Sequence, residues 1–320
     1  MYLTSFLKLV ELQTKIASFI PFVFGVIYTL FRFNTIKPMQ VLFFFISLLS
    51  FDMFTTALNN YNDFKKAVKK EGYNYEFHNA ISQFNLKEST VVTIIALLFS
   101  SAVVFGLITF LRSDYLVLLL GCLSFLMGIL YSAGPIPISR TCFGEVFSGF
   151  FMGLLIPFLV IYISIYDQNF IGLTLNESNL ILILNWKAIL PIVFTALPTV
   201  FCIANIMLAN NICDIDDDFA NKRYTLPIHV GKKKSFILYD ALYIFAYLDI
   251  ILCVILGYLP WVSLLVLASA FMVYKNVKAF YALQTKKDTF ALTVQNLIFI
   301  MVPLILSVFA AFVFNTIIGS

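Results

Sequence analysis

Charged residues are scarce in this chain: Lys, Arg, Asp and Glu make up 12% of its 320 residues, while 61% are hydrophobic and the mean hydropathy is +0.94. An ordinary soluble domain carries roughly 25% charged residues, so a soluble globular fold is excluded first. Histidine occurs only as His78 and His229, with no second histidine at ligand spacing, and neither is given a role. The five cysteines, Cys122, Cys142, Cys202, Cys213 and Cys253, show no Cys-x-x-Cys spacing and sit mostly in apolar runs. Such thiols serve as small hydrophobes, and neither a disulfide nor a metal centre is read from them. The start, Met1 to Leu12, carries Lys8 and Glu11 and lacks the small-residue cleavage site of a secretory signal, so the N-terminus is expected to be retained. The formal charge of +4 is small. In a membrane protein the placement of basic residues says more than their sum, and no nucleic-acid partner is expected.

What is abundant is long apolar runs. Nine can be marked: Ile16 to Phe33, Pro38 to Leu58, Thr90 to Leu111, Tyr115 to Ser132, Phe143 to Ser164, Ala188 to Leu208, Phe236 to Leu256, Trp261 to Tyr274, and Leu292 to Ile318. A hydrocarbon core about 30 Å thick needs about 20 helical residues. Backbone in lipid cannot leave its polar groups unpaired, and these runs are too long for barrel strands. The expectation is an all-α polytopic bundle of nine transmembrane helices, one membrane domain over residues 1–320, with lipid as its surroundings.

Placing the N-terminus in the cytoplasm leaves only Arg32, Lys37, Arg112 and Lys187, four of the 21 basic residues, on the outer side. That bias orients the chain by the positive-inside rule, with the C-terminus outside, as for a multi-pass protein of the plasma membrane. The outer segment from Ile165 to Trp186 carries Asp167 and Glu177 but no Lys or Arg, in agreement. Two inner segments, Asn59 to Ser89 and Ala209 to Ser235, read as long loops, and each opens on a polar cluster.

The first cluster reads Asn59-Asn60-Tyr61-Asn62-Asp63-Phe64-Lys65-Lys66, and the second Asn210-Asn211-Ile212-Cys213-Asp214-Ile215-Asp216-Asp217-Asp218. Residues four apart share a helix face, so Asn59 would stand beside Asp63, and Asn210 beside Asp214 and Asp218. Stacked carboxylates near a membrane need a cation. Mg²⁺ suits hard oxygens and is usually held by one or two carboxylates together with substrate phosphates. These five residues are the candidate metal ligands, with Asp63 and Asp214 the essential carboxylates, and the two clusters are expected to meet across one pocket. Lys222 and Arg223 follow the second cluster and can take up the charge of a departing diphosphate. Asn and Asp also make ordinary caps and turns. Two matching clusters, each followed by basic residues, argue against that plainer reading.

At these residues the chain resembles the UbiA superfamily of intramembrane aromatic prenyltransferases, most closely its branch acting on 1,4-dihydroxy-2-naphthoate in menaquinone synthesis. The resemblance covers nearly the whole chain. It rests on Glu11 to Ser18, Asp52 to Lys66, Tyr131-Ser-Ala-Gly-Pro-Ile-Pro137, Gly144-Glu145, and Asn210 to Asp218 followed by Lys222 to Pro227. It implies a helical bundle around a central cavity, both Asp motifs at its cytoplasmic mouth binding Mg²⁺ and diphosphate, and a lateral opening for the isoprenoid tail. It also implies Lys222 as a diphosphate contact, Asn211 as a recurrent amide, and Tyr131 within the fourth-helix motif. Two positions depart from the wider pattern. Ala67 stands where many members have a further Asp, so the first site leans on Asn59 and water; Pro135 replaces a Lys four residues after Tyr131, as in the naphthoate branch.

The implied reaction takes a polyprenyl diphosphate and dihydroxynaphthoate, with loss of CO₂ and diphosphate. A basic group must then hold the acceptor's carboxylate; Lys15 and Arg140 are candidates, although either can snorkel to headgroups. Asp52 would lie about three turns from Asp63 inside the second helix, a functional candidate by its depth. Glu145 reads as a helix-dipole residue. Another acceptor within the same superfamily is an alternative. A cation or metabolite transporter is a further one, although its acidic residues would be expected nearer the midplane.

Overall fold

The computed structural model describes residues 3–66, 79–134, 136–168, 170–175 and 180–318. Ala67, Lys69, Lys70, Glu71, His78, Pro135 and Glu177 lie outside them. Among the described residues nine helices are long and apolar enough to cross a membrane. They are Leu12–Phe33, Pro38–Lys65, Glu88–Leu111, Tyr115–Ser132, Gly144–Gln168, Trp186–Cys213, Lys232–Ile255, Trp261–Ala282 and Phe290–Ile318, here the first to ninth spans. Each coincides with an apolar run of the sequence, and the chain is an all-α membrane helix bundle.

Three local expectations need correcting. The apolar runs end at Leu58 and Leu208, yet the second span stays helical through Asn59 and Asp63 to Lys66 and the sixth through Asn210 to Cys213. Packing overrides the turn preference of Asn and Asp. Ala57, Tyr61 and Phe64 on the second span pack into a cluster with Leu9, Ile81 and Val91, and Leu208, Ala209, Asn211 and Ile212 on the sixth are buried. The eighth span reaches eight residues past Tyr274; it opens as a 3₁₀ helix, Trp261–Ser269, and continues as an α-helix at Ala270–Ala282. The segment between the fifth and sixth spans is no plain connector. It forms an antiparallel hairpin of β1, Ile171–Leu175, and β2, Leu180–Leu184, with Ile171 opposite Leu184. The Asn185 amide donates to the Phe170 carbonyl at 2.9 Å and closes its base.

The chain falls into two compact units. Unit 1 holds residues up to Ser18 and Met39–Pro137, with most of the second span and the third and fourth spans. Hydroxyls tie the second and third spans: Ser47 Oγ donates to the Ala102 carbonyl at 2.7 Å, and Ser50 and Ser101 hydroxyls lie 3.0 Å apart. Phe51 stacks on Phe125 of the fourth span at 4.2 Å between centroids. Polar bonds and close packing of this kind hold helices together where lipid removes the usual hydrophobic drive.

Unit 2 holds Phe19–Pro38 and Ile138–Ser320. Its fifth span changes pitch, with an α start at Gly144–Ser148, a π-helical stretch at Gly149–Leu155 and an α-helix at Ile156–Ile165. Pro157 has no N–H for the Gly153 carbonyl, so the ladder loses a bond where the widened turns end. Gly149 and Gly153 press on the sixth span: a Cβ on Gly153 would stand 2.5 Å from the Val200 Cα, and one on Gly149 3.0 Å from the Val200 carbonyl oxygen. This is a small-xxx-small contact. The sixth and seventh spans are joined by Asn205, whose amide donates to the Tyr239 carbonyl at 2.9 Å, and Tyr239 shares a hydrogen bond with Thr293 of the ninth span at 2.7 Å.

Candidate active site

The first cluster belongs to unit 1. Of its adjacent amides, Asn60 is buried, and its Nδ2 donates to the Leu9 carbonyl at 2.9 Å and to Glu11 Oε1 at 3.3 Å. Asn60 is therefore an anchor. Asn59 and Asp63, one helical turn apart, are half-buried, and Lys65 beyond them pairs with Glu88 at 2.5 Å.

Deeper in the same span the structure joins two candidates that the sequence kept apart. Lys15 Nζ lies 2.6 Å from Asp52 Oδ1, 2.6 Å from Thr56 Oγ1 and 3.2 Å from the Asp52 carbonyl oxygen, which engages all three of its protons. Ser18 Oγ donates to the other Asp52 oxygen at 2.5 Å. Lys15 is 5% exposed, so it is packed inside the protein instead of snorkelling to headgroups. Tyr131 is half-buried at the end of the fourth span.

The second cluster belongs to unit 2 and repeats the division of labour. Asn211 is buried and its Nδ2 donates to Glu145 Oε1 at 2.8 Å, while Asn210 and Asp214 are half-buried. The α-helix ends at Cys213, and a short helix, Ile215–Ala220, follows. The four-residue ladder still crosses the break: the Asp214 amide donates to the Asn210 carbonyl at 3.2 Å and the Asp218 amide to the Asp214 carbonyl at 2.7 Å. Asp218 is 3% exposed, accepts from Thr225 Oγ1 at 3.2 Å, and lies 3.7 Å from Arg223 Nη1. Burial, with the charge of Asp214 adding to it, pushes the Asp218 carboxyl up to about 6, against the opposing pull of Arg223, Thr225 and Lys286.

Lys222 is exposed and takes a left-handed conformation, φ 55°, which L-residues with a Cβ adopt at a cost. Its amide bonds the Phe219 carbonyl at 3.2 Å, and the next amide, of Arg223, bonds the Asp218 carbonyl at 2.8 Å. This turn ends the short helix and brings Arg223 back beside Asp218. Arg140 is half-buried in a 3₁₀ turn, and its carbonyl accepts from the Tyr224 amide at 3.0 Å. The turn before the fifth span is thus stitched to the segment that follows the second cluster.

Three groups escape a reading of the residues alone. Glu145 is 3% exposed and bonded to Asn211, with its Oε2 buried and without a hydrogen-bond partner, so it is far more than a dipole residue. A carboxylate beside Gly144 at the start of an apolar run was the available signal. Lys286, between the eighth and ninth spans, pairs with Asp214 Oδ2 at 2.5 Å; nothing local in the sequence links them. Asp249, buried within the seventh span, accepts from the Cys253 thiol at 3.6 Å, and its depth alone could have marked it.

No group of three or more His, Cys, Asp or Glu positioned to hold a metal exists among the described residues. What is offered is a pair of carboxylates, Asp214 and Asp218, with amide oxygen from Asn210. That donor set is wholly hard oxygen and incomplete by itself, which fits an ion that completes its shell with water and phosphate. An all-apolar recess of about 170 Å³, lined by Phe19, Ile20, Val23, Val302, Ile305 and Leu306, lies between the first and ninth spans within unit 2.

Helices of this length and polarity, carrying acidic ladders at their ends, define an integral membrane protein of the α-helical class. The UbiA prenyltransferase family model matches residues 18–302, and the chain belongs to that family. It is 28% identical to the 1,4-dihydroxy-2-naphthoate octaprenyltransferase of Bacillus subtilis (strain 168) over 262 residues, 82% of this chain and 77% of that protein. Its fold is similar to that of the UbiA homologue from Aeropyrum pernix K1 in its apo structure, with a TM-score of 0.65 at 16% identity over 92% of this chain and 98% of that one. It is also similar to the UbiA homologue from Archaeoglobus fulgidus bound to GPP and Mg²⁺, with a TM-score of 0.64 at 11% identity over 96% of this chain and 99% of that one.

Proposed function

We propose that this protein transfers a polyprenyl group from polyprenyl diphosphate to 1,4-dihydroxy-2-naphthoate, releasing diphosphate and CO₂ and giving a demethylmenaquinol. The observation that carries the reading is the repeated Asn-Asn-x-x-Asp ladder, in which the second amide is buried as an anchor and the first amide and the carboxylate are left half-exposed. Family membership and the naphthoate prenyltransferase relative support the reaction class and the acceptor. Asn59 and Asp63 of unit 1, and Asn210, Asp214 and Asp218 of unit 2, are the candidate residues for holding Mg²⁺ and, through it, diphosphate. Bound there, the ion would neutralise charge developing on the leaving group.

The chain's own residues supply the rest. Arg223, held beside Asp218, and Lys222, projecting from its strained turn, are cations for the diphosphate oxygens. The apolar recess between the first and ninth spans offers a surface of the right chemistry for an isoprenoid chain. Exclusion of water protects an allylic carbocation until the electron-rich ring attacks it. Attack at the carbon bearing the carboxylate is completed by loss of CO₂. Lys15 and Arg140 are the two candidates for the acceptor carboxylate: Lys15 reaches it only by giving up a contact to Asp52 or Thr56, and the Arg140 guanidinium has five donors. The Lys-rich helix ends face the cytoplasm of a plasma membrane in this reading.

The test is to incubate purified protein with Mg²⁺, a polyprenyl diphosphate and a panel of aromatic acids, following prenylated product and CO₂ together. Dihydroxynaphthoate should give both in equal amounts. Prenylation of a hydroxybenzoate without CO₂ would move the chain to another acceptor branch. Absence of product with every acid would overturn the assignment to aromatic acceptors.

A further inference from the structure

Lys286 is the one cation placed directly on a carboxylate of the second ladder at 2.5 Å among the described residues, and it comes from neither acidic motif. Its place is built. The turn between the eighth and ninth spans is closed by Thr285 Oγ1 donating to Asp288 Oδ2 at 2.8 Å, by the Asp288 amide donating back to Thr285 Oγ1 at 3.1 Å, and by the Thr285 amide donating to Thr289 Oγ1 at 3.1 Å. Gln284, just before it, ties its side-chain amide to the Phe280 and Tyr281 carbonyls at 2.7 and 2.8 Å. Lys286 therefore projects from a rigid support, on a four-carbon stem that is itself mobile. The two ends of the pair differ in access: the Asp214 side chain is 15% exposed and that of Lys286 is 46% exposed.

An ammonium group at this distance from a carboxylate occupies space that a metal ion on the same oxygen would need. The two cations repel each other and compete for the same carboxylate charge, so a metal ion on Asp214 weakens the Lys286 contact. A compact cation on a flexible stem can leave, and the strongest acceptors arriving with the metal are phosphate oxygens. Resting on the reading of this site as a metal-diphosphate site, we propose that Lys286 is an exchangeable counter-ion. It neutralises Asp214 while the site is without metal, and transfers to a diphosphate oxygen when a divalent cation takes Asp214. The same residue thus opposes metal alone and favours metal together with diphosphate.

Two binding measurements on purified protein in nanodiscs separate this from the plainer roles, with Lys286→Met keeping the stem and removing the charge. Mn²⁺ binding without diphosphate, read by the loss of its free-ion paramagnetic resonance signal, should tighten severalfold in the variant. Binding of inorganic diphosphate in the presence of Mg²⁺, read by calorimetry, should weaken about tenfold, the scale of one lost charge-assisted contact. Lys286→Arg should restore most of the diphosphate affinity. Opposite movement of the two affinities supports the exchange. Unchanged affinities would show an incidental surface pair and overturn it, and so would a parallel loss of both, which marks a merely structural residue. Failure of the unaltered protein to bind either Mn²⁺ or diphosphate would instead defeat the reading of the whole site.

Discussion

The two acidic ladders share a spacing but not a setting. Asn59 and Asp63 stand on a helix that continues without interruption from Pro38 to Lys66, whereas Asn210 and Asp218 straddle a break at Asp214, where φ is −101° and ψ is 7°. In the first, support comes from Asn60 bonded to the Leu9 carbonyl and from apolar packing. In the second, it comes from side-chain electrostatics: Glu145 on Asn211, Thr225 and Arg223 on Asp218, and Lys286 on Asp214. An uninterrupted helix fixes its two oxygen ligands relative to each other. A broken one gathers more ligands, from more directions, and needs countercharges to hold them together. Under the proposed function the first ladder is the rigid arm and the second the adaptable one.

The largest expected effect is common to both. Chelation of divalent metal should abolish prenyl transfer, and Mg²⁺ should restore it, as measured by product formation in nanodiscs. Activity that survives exhaustive chelation would break the comparison at its root. Next, Asp63→Ala and Asp214→Ala should each lower the rate by about 10²–10³-fold, the scale seen when one electrostatic stabiliser is removed, with unaltered membrane insertion. Insertion is checked by extraction yield and elution volume. Asp63→Glu should recover less than Asp214→Glu, since only the broken helix can adjust to a longer side chain.

The buried pair of unit 1 tests its rigidity. Lys15→Met leaves Asp52 with an uncompensated charge and should cost about 3 kcal/mol, at the lower end of the range for breaking a buried ion pair because Asp52 is partly exposed. Thermal unfolding reads this loss, and Lys15→Met combined with Asp52→Leu should regain most of it. The smallest effect concerns the turn of unit 2. Lys222→Gly and Lys222→Met should both raise KM for the prenyl diphosphate about tenfold if the charge matters. Gly should be the more stable of the two by up to about 1 kcal/mol, because the left-handed position suits it. Equal stability of the two variants would show that the turn carries no such strain.

Much of the fold was legible because apolar runs of spanning length admit only helices in lipid. The paired Asn-Asn-x-x-Asp motifs were legible because their spacing is a helical turn. The β1–β2 hairpin was not, since short apolar stretches beside a charge-poor connector give no period long enough to read. The helical continuation past Leu58 was legible only through the spacing of Asn59 and Asp63. Asn and Asp signal turns locally, and the contacts of Ala57, Tyr61 and Phe64 that overrule them come from residues distant in sequence. Lys15 and Asp52 were each visible as candidate residues, but their pairing across 37 positions was not. Lys286 was hidden more thoroughly, since it is one of two adjacent lysines in a polar turn and 72 residues from Asp214 in the chain.

The bare backbone at Gly149 and Gly153 has a reach well beyond its own neighbourhood. A helix is stiff along its axis, and the 14 residues from Val200 to Asp214 measure about 21 Å at 1.5 Å each. The distance between the fifth and sixth spans, fixed by two missing methyl groups at Gly149 and Gly153, therefore acts as a lever on the carboxylates at the far end of the sixth. The nearest atoms to a methyl at residue 153 are main-chain atoms of Thr199 and Val200, so the intruder could be accommodated only by moving the helix itself.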